Sequence, residues 1–101
     1  MNRIEHLLCV LGEECAEVAQ RSSKAQRFGV HQIQIGHIDS NLDRIDYELQ
    51  DLYAIVEMIR EEVGESFGEP NRLLMDAKKI KVEKYMDKAR DLDTLDTESS
   101  G

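Results

Sequence analysis

Apolar residues recur at three- and four-residue steps over two long stretches of the chain. In the first, Ile4, Leu7, Leu8, Leu11, Cys15 and Val18 follow the spacing of one helical face. This predicts a helix over residues 2 to about 24, with the "RFG" at 27–29 as its stop and Gly29 as a C-cap glycine. In the second, Leu42, Ile45, Leu49, Leu52, Val56 and Ile59 keep the strictest period in the chain. They predict a helix from near Ser40 to about Val63, capped by Asp39, Ser40 or Asn41. Between the two, "VHQIQIGHIDSN" alternates Ile33 and Ile35 with glutamines, which suits a short extended piece, and Gly36 argues against a continuous helix. "GESFGEP" at 64–70 ends the second helix. Pro70 fits the first turn of a third helix running to about Arg90. The acidic, small-residue end, 91–101, is expected to be disordered.

The polar positions inside this pattern are less ordinary. At about 100° per residue, Glu14 falls about 60° from Leu11, on the flank of the apolar stripe, and Glu17 about 60° further round, with Val10 between them. Glu13 points largely away. In the second helix Glu48 and Asp51 stand in the same relation to Ile45, with Ile55 between them. The frames Leu11-x-x-Glu14-x-x-Glu17-Val18 and Ile45-x-x-Glu48-x-x-Asp51-Leu52 therefore match. One such i, i+3 pair alone is an ordinary solvated helix face. Two pairs with one frame, on helices that pack antiparallel, bring four carboxylates together. Like charges in a half-dry cleft repel and raise one another's pKa values, and a hard divalent cation with oxygen ligands compensates them. The expectation is an acidic metal site on a helix bundle.

Composition narrows the alternatives. The chain has 101 residues, 41% of them hydrophobic, enough for one domain over 1–90 with a modest core that a partner subunit would help to complete. One proline, no tryptophan and few β-branched runs favour an all-α helical bundle. A formal net charge of −8 leaves no basic footprint for nucleic acid and disfavours anionic membrane surfaces. No stretch reaches transmembrane length, and the N-terminal segment does not read as a signal peptide. Cys9 and Cys15 are six apart on one helix, wrongly placed for a disulfide, and read as reduced packing residues of a cytoplasmic protein. A di-iron carboxylate bundle requires Glu-x-x-His motifs, and His6, His31 and His37 do not stand three residues after a glutamate.

The motif Glu13-Glu14-x-x-Glu17 followed by Glu48-x-x-Asp51 resembles that of the MazG-like nucleoside triphosphate pyrophosphohydrolases, in the all-α NTP pyrophosphatase superfamily. "EECAEVAQRSSKAQRFG", "ELQDLYAIVEMI" and "KIKVEKYMDKAR" resemble small phage and bacterial members, so the likeness covers most of residues 5–90. It implies Glu14, Glu17, Glu48 and Asp51 as Mg²⁺ ligands, with Mn²⁺ as a substitute, and Glu13 as a residue that orients or deprotonates the attacking water. It implies a homodimer or a dimer of dimers in the cytoplasm of a bacterial or phage-infected cell, hydrolysing a nucleoside triphosphate to the monophosphate and pyrophosphate.

The same resemblance bears on the cations. Lys78, Lys81, Tyr85 and Lys88 share a face of the third helix and Lys84 lies beside Lys81. Family members carry basic residues before an aromatic here, which implies phosphate contacts for this group. Lys24 and Arg27, at the end of the first helix, stand where family members approach the nucleotide. An ordinary solvated basic face is the competing reading. Phe28 reads as core more readily than as a base-stacking residue. A second function class stays open: a non-catalytic nucleotide- or partner-binding helical protein that retains the fold.

Overall fold

The computed structural model describes residues 1–92. The chain divides into two units, 1–68 and a second that begins at Glu69, and the described residues carry three helices and no strand. The all-α expectation holds. The first unit is a hairpin of α1 (Arg3–Phe28) and α2 (Asn41–Val63); the second contains α3 (Arg72–Asp91). The expected disordered end lies, from residue 93 onward, outside the described residues.

Both hairpin helices are closed at their N-termini by side chains. The Asn2 side chain accepts from the Glu5 amide at 2.9 Å. Ser40 and Asp43 form a reciprocal capping box: Asp43 N donates to Ser40 Oγ, and Ser40 N to Asp43 Oδ2, both at 3.1 Å. Each pair satisfies amides that helical hydrogen bonding leaves free. α1 runs to Phe28, four residues beyond the periodicity estimate, because no breaker intervenes before Gly29. There the backbone takes φ 111° and returns its N–H to Ala25 O. Gly29 is thus the C-cap that the sequence predicts.

The helices run antiparallel. Arg3, at the start of α1, pairs with Glu62 at the end of α2, and Arg21 in the last third of α1 lies against Glu48. Leu7, Ala25 and Ile59 are buried. Between them Ile4, Leu11, Val18, Ile45, Leu52 and Ile55 are half-buried, the normal state of one seam between two helices. Cys9 and Cys15 are free and exposed, so the packing role expected of them is corrected: the seam passes through Leu11, Glu14 and Val18, and both thiols fall outside it. Phe28 is 53% exposed and lies under the Arg27 guanidinium at 5.2 Å. It is therefore not a core residue.

The connection between α1 and α2 is ordered by α2 itself. Asn41 is 3% exposed, and its amide nitrogen donates to Gly29 O at 2.8 Å and to Gln32 Oε1 at 2.9 Å. Backbone bonds from Asn41 N to Gln32 O and from Leu42 N to Val30 O fasten the same strip. Arg44 donates to Gln34 Oε1 and Tyr47 Oη to Asp39 Oδ1, each at 3.0 Å. The extended piece reduces to an isolated antiparallel bridge between Ile33 and Ser40. After α2, Gly68 at φ 71° lies so close to Val56 that a Cβ there would stand 2.3 Å from Val56 Cγ1. Only glycine fits both the conformation and the space.

α3 is capped by Asn71, whose side chain accepts from Leu74 N at 3.1 Å. Pro70 therefore precedes the cap and does not sit in the first turn, because Asn71 supplies the capping oxygen that the helix start needs. No residue of α3 is buried.

Asn41 uses both amide hydrogens at a nearly buried position; its removal takes the donor of Gln32 Oε1 and leaves Gly29 O with only the Gln32 N–H at 3.3 Å. Asn41→Ala is expected to lower unfolding free energy by about 1–3 kcal/mol. Urea titration followed by helical circular dichroism measures this, and an unchanged midpoint would contradict it.

Candidate metal centre

α1 and α2 bring Glu14, Glu48 and Asp51 together. Each offers a carboxylate oxygen, and these oxygens lie within 4.8 Å of one another. Glu14 and Glu48 are half-buried, whereas Asp51 opens to solvent. The equal frames on the two helices explain the meeting: antiparallel packing lays Glu14 beside the turn that carries Glu48 and Asp51. The seam-facing stripe of α1, buried at Leu7 and Ala25 and half-buried elsewhere, runs through Ile4, Leu7, Leu11, Glu14, Val18, Arg21 and Ala25. Glu14 therefore stands within the seam itself, deeper than its flank position on an ideal helical wheel, because the seam follows the alternating three-four steps of a heptad.

The other two sequence candidates on α1 behave differently. Glu17 is exposed and lies outside the group of three, near enough to act electrostatically on Glu14. Glu13 is exposed, on the side away from the seam that its wheel position indicates.

The cluster is electrostatically tense. The Glu14 carboxyl is raised above its ordinary 4.5, first by burial and then by the charges of Asp51, Glu48, Glu17 and Glu13. Both causes disfavour the charged form. The donor set is three hard oxygens, the type that Mg²⁺, Mn²⁺ or Ca²⁺ prefers. Their mutual spacing is compatible with a shared ion at ligand distances of roughly 2.0–2.6 Å. The chemistry of the three oxygens fits a divalent cation.

One residue of this region was missed by the sequence argument. Arg21 is half-buried, its Nε 3.9 Å from Glu48 Oε1, with side-chain exposures of 20% and 19%. That Nε is buried and has no hydrogen-bond partner. The spacing Leu11, Glu14, Val18, Arg21, Ala25 carries the signal, since Arg21 falls two turns after Glu14 on the same line.

The basic candidates divide. Lys24 is half-buried and Arg27 exposed at the end of α1. In the second unit, Lys81, Lys84, Tyr85 and Lys88 line one hollow on α3, while Lys78 is exposed and is not among its lining residues. Among the described residues no helix is long and apolar enough to cross a membrane.

A carboxyl with a raised folded pKa favours the folded chain below its unfolded value and loses that contribution as pH climbs through the raised value. In chelator-treated protein, Glu14→Gln is therefore expected to melt higher than wild type at pH 7. The gap should close as pH falls below 4.5. Parallel melting curves from pH 4 to 8 test this, and a variant that melts below wild type at neutral pH would refute the repulsion.

No protein-family model, curated protein or solved structure matches this chain.

Proposed function

We propose that this chain is a divalent-metal-dependent hydrolase of nucleoside triphosphates, cleaving between the α and β phosphates to give the monophosphate and pyrophosphate. The observation that carries the reading is the convergence of Glu14, Glu48 and Asp51 from two helices, with Glu14 under repulsion. The motif resemblance supplies the reaction and adds Glu17 as a fourth ligand and Glu13 as the residue that orients the water.

In this reading a bound Mg²⁺ or Mn²⁺ supplies Lewis acidity toward phosphate oxygens and toward a water. The chain does the rest. Glu14 and Glu48, held by the seam, and Asp51 at its solvent edge would hold such an ion. It is the motif resemblance alone that implies phosphate contacts for Lys81, Lys84 and Tyr85 and further cations in Lys78, Lys24 and Arg27. Positioning and charge stabilisation account for catalysis of this type.

The assembly proposed is a homodimer or dimer of dimers. Leu73, Leu74 and Ile80 are 83%, 69% and 71% exposed on α3, and Ile35 and Ile38 are 103% and 89% exposed in the connection, apolar surface that suits burial against another chain. The free thiols Cys9 and Cys15 suit a reducing, cytoplasmic compartment. The same exposed apolar residues favour the second reading, a nucleotide- or partner-binding helical protein without turnover.

Pyrophosphate release from a panel of canonical and modified dNTPs and NTPs with Mg²⁺ or Mn²⁺ separates the two. Hydrolysis of at least one member is expected, and Glu48→Gln should reduce it below detection with helix content retained. Silence across the panel favours the binding protein, and full activity in Glu48→Gln removes that residue from the site.

A further inference from the structure

The matched frames that bring the carboxylates together also build a second surface of the hairpin. Leu8 and Cys15 stand three residues before and four after Leu11, and Leu42 and Leu49 stand in the same relation to Ile45. On each helix these positions fall about 40–60° from the stripe, on the side away from Glu14 and Glu48. Antiparallel packing lays equal offsets on one side of the hairpin, so the four residues share a face opposite the acidic one, and Tyr53 extends it. This face is open. Leu8, Leu42 and Tyr53 are 49%, 48% and 56% exposed, and Cys15 is exposed. Glu5, Asp46 and Glu57 border it. Arg60, at the same border, donates its Nε to Phe67 O at 2.8 Å.

α3 carries the complement. Leu74, Met75, Val82 and Met86 lie within an arc of about 120°, and all four are exposed. Lys78 falls inside that arc and Lys79 and Lys81 at its two borders, while Asp76, Glu83 and Asp87 occupy the other half of the helix. The charge balance agrees: residues 1–68 carry thirteen acidic and six basic side chains, and α3 seven basic and four acidic. Two hairpin faces set together would oppose acid to acid. The α3 face instead brings lysines to those acids, and complementary charge of this kind selects partner and register. A 20-residue helix with no buried residue also needs such a surface, because helical stability in water comes mostly from packing an apolar face.

We propose that two copies of the chain exchange these surfaces: α3 of each packs on the Leu8, Cys15, Leu42 and Leu49 face of the other's hairpin. Every copy offers one surface of each kind, so the pairing is isologous and closes at two copies. A 20-residue helix is about 30 Å long and about 10 Å across, so the two contacts together bury roughly 1,200 Å² over their four surfaces, the lower bound of a stable interface. The inference deepens the assembly proposed above by naming its surfaces, and it is independent of the metal reading. The acidic trio stays open on the other side of each hairpin.

The chain's own thiols test it. Cys15 lies on the face, and Cys9 lies about 120° further round α1, outside it. Alkylation of the full-length chain by N-ethylmaleimide, read by mass spectrometry, is followed over a dilution series alongside sedimentation velocity. A dimer is expected in which Cys15 reacts at least about tenfold more slowly than Cys9, with the protection fading as dilution separates the copies. Val82→Glu and Leu8→Glu each place a carboxylate in the apolar contact, one from either side. Each is expected to weaken the dimer at least about tenfold and to release Cys15 while Cys9 is unchanged. Neither side chain is buried, and if one variant loses its helix content the other decides. A dimer in which Cys15 and Cys9 react alike has its interface elsewhere; that result overturns the exchange and leaves the assembly standing. A monomer with both thiols reactive overturns both. Protection of Cys15 in a monomer rules out a second copy as the cover. A dimer whose Cys15 stays protected in Val82→Glu pairs hairpin with hairpin and removes α3 from the contact.

Discussion

Three ionised side chains stand in the only seam this hairpin has, and the rest of the first unit is arranged around that fact. Glu14 and Arg21 take heptad positions on α1, and Glu48 takes one on α2. Two of the three repel, and the third attracts one of them from 3.9 Å. Removing charges from water costs several kcal/mol each unless they are well paired, and this set is only partly paired. The middle of the hairpin therefore relies on the half-buried Leu11, Val18, Leu52 and Ile55 around these charges. The fully buried contacts lie on either side of it: Leu7 and Ile59 toward one end, and Ala25 with Asn41 toward the other.

The two ends secure the helices by different means, and the difference follows from solvent exposure. At the open end Arg3 and Glu62 pair on the surface, where an ion pair is worth ~1 kcal/mol or less. At the closed end Asn41 links α2 to the carbonyl of Gly29, the C-cap of α1, and to Gln32, with the capping box beside it. Buried, fully satisfied polar bonds specify geometry more strictly than surface pairs do. The register of α1 against α2 is consequently fixed from the connection. That register decides whether Glu14 faces Glu48 and Asp51, because a shift of one residue would turn Glu14 by about 100° and separate the carboxylates.

The helices were legible because their apolar spacing is nearly uninterrupted, and the carboxylate convergence because two frames coincide. What escaped the sequence has physical reasons. Arg21 looks like any solvent-facing arginine until the line through Glu14 and Val18 is extended to it. Glu17 matches the motif yet lies outside the trio, since it falls on the exposed shoulder of α1, whereas Asp51, equally exposed, leans toward Glu48 and Glu14. Cys9, Cys15 and Phe28 look like core by composition, but a two-helix hairpin has one buried line, and apolar residues off that line stay exposed. Pro70 precedes α3 by two residues because Asn71 offers a capping oxygen.

An ionic seam is a poor way to stabilise a small hairpin. Apolar residues of similar volume at Glu14, Arg21 and Glu48 would extend the Leu and Ile stripe without the desolvation cost, and replacing buried ion pairs in this way commonly stabilises a fold. The chain instead places its charges at half-buried seam positions between two well-capped helices, where local propensity, capping and register all agree with the fold and only the seam charges do not. A local conflict confined to one place in an otherwise consistent structure is what a functional site produces. The disagreement also has a direction: its net charge is negative, it opens to solvent at Asp51, and its one cation keeps a free donor.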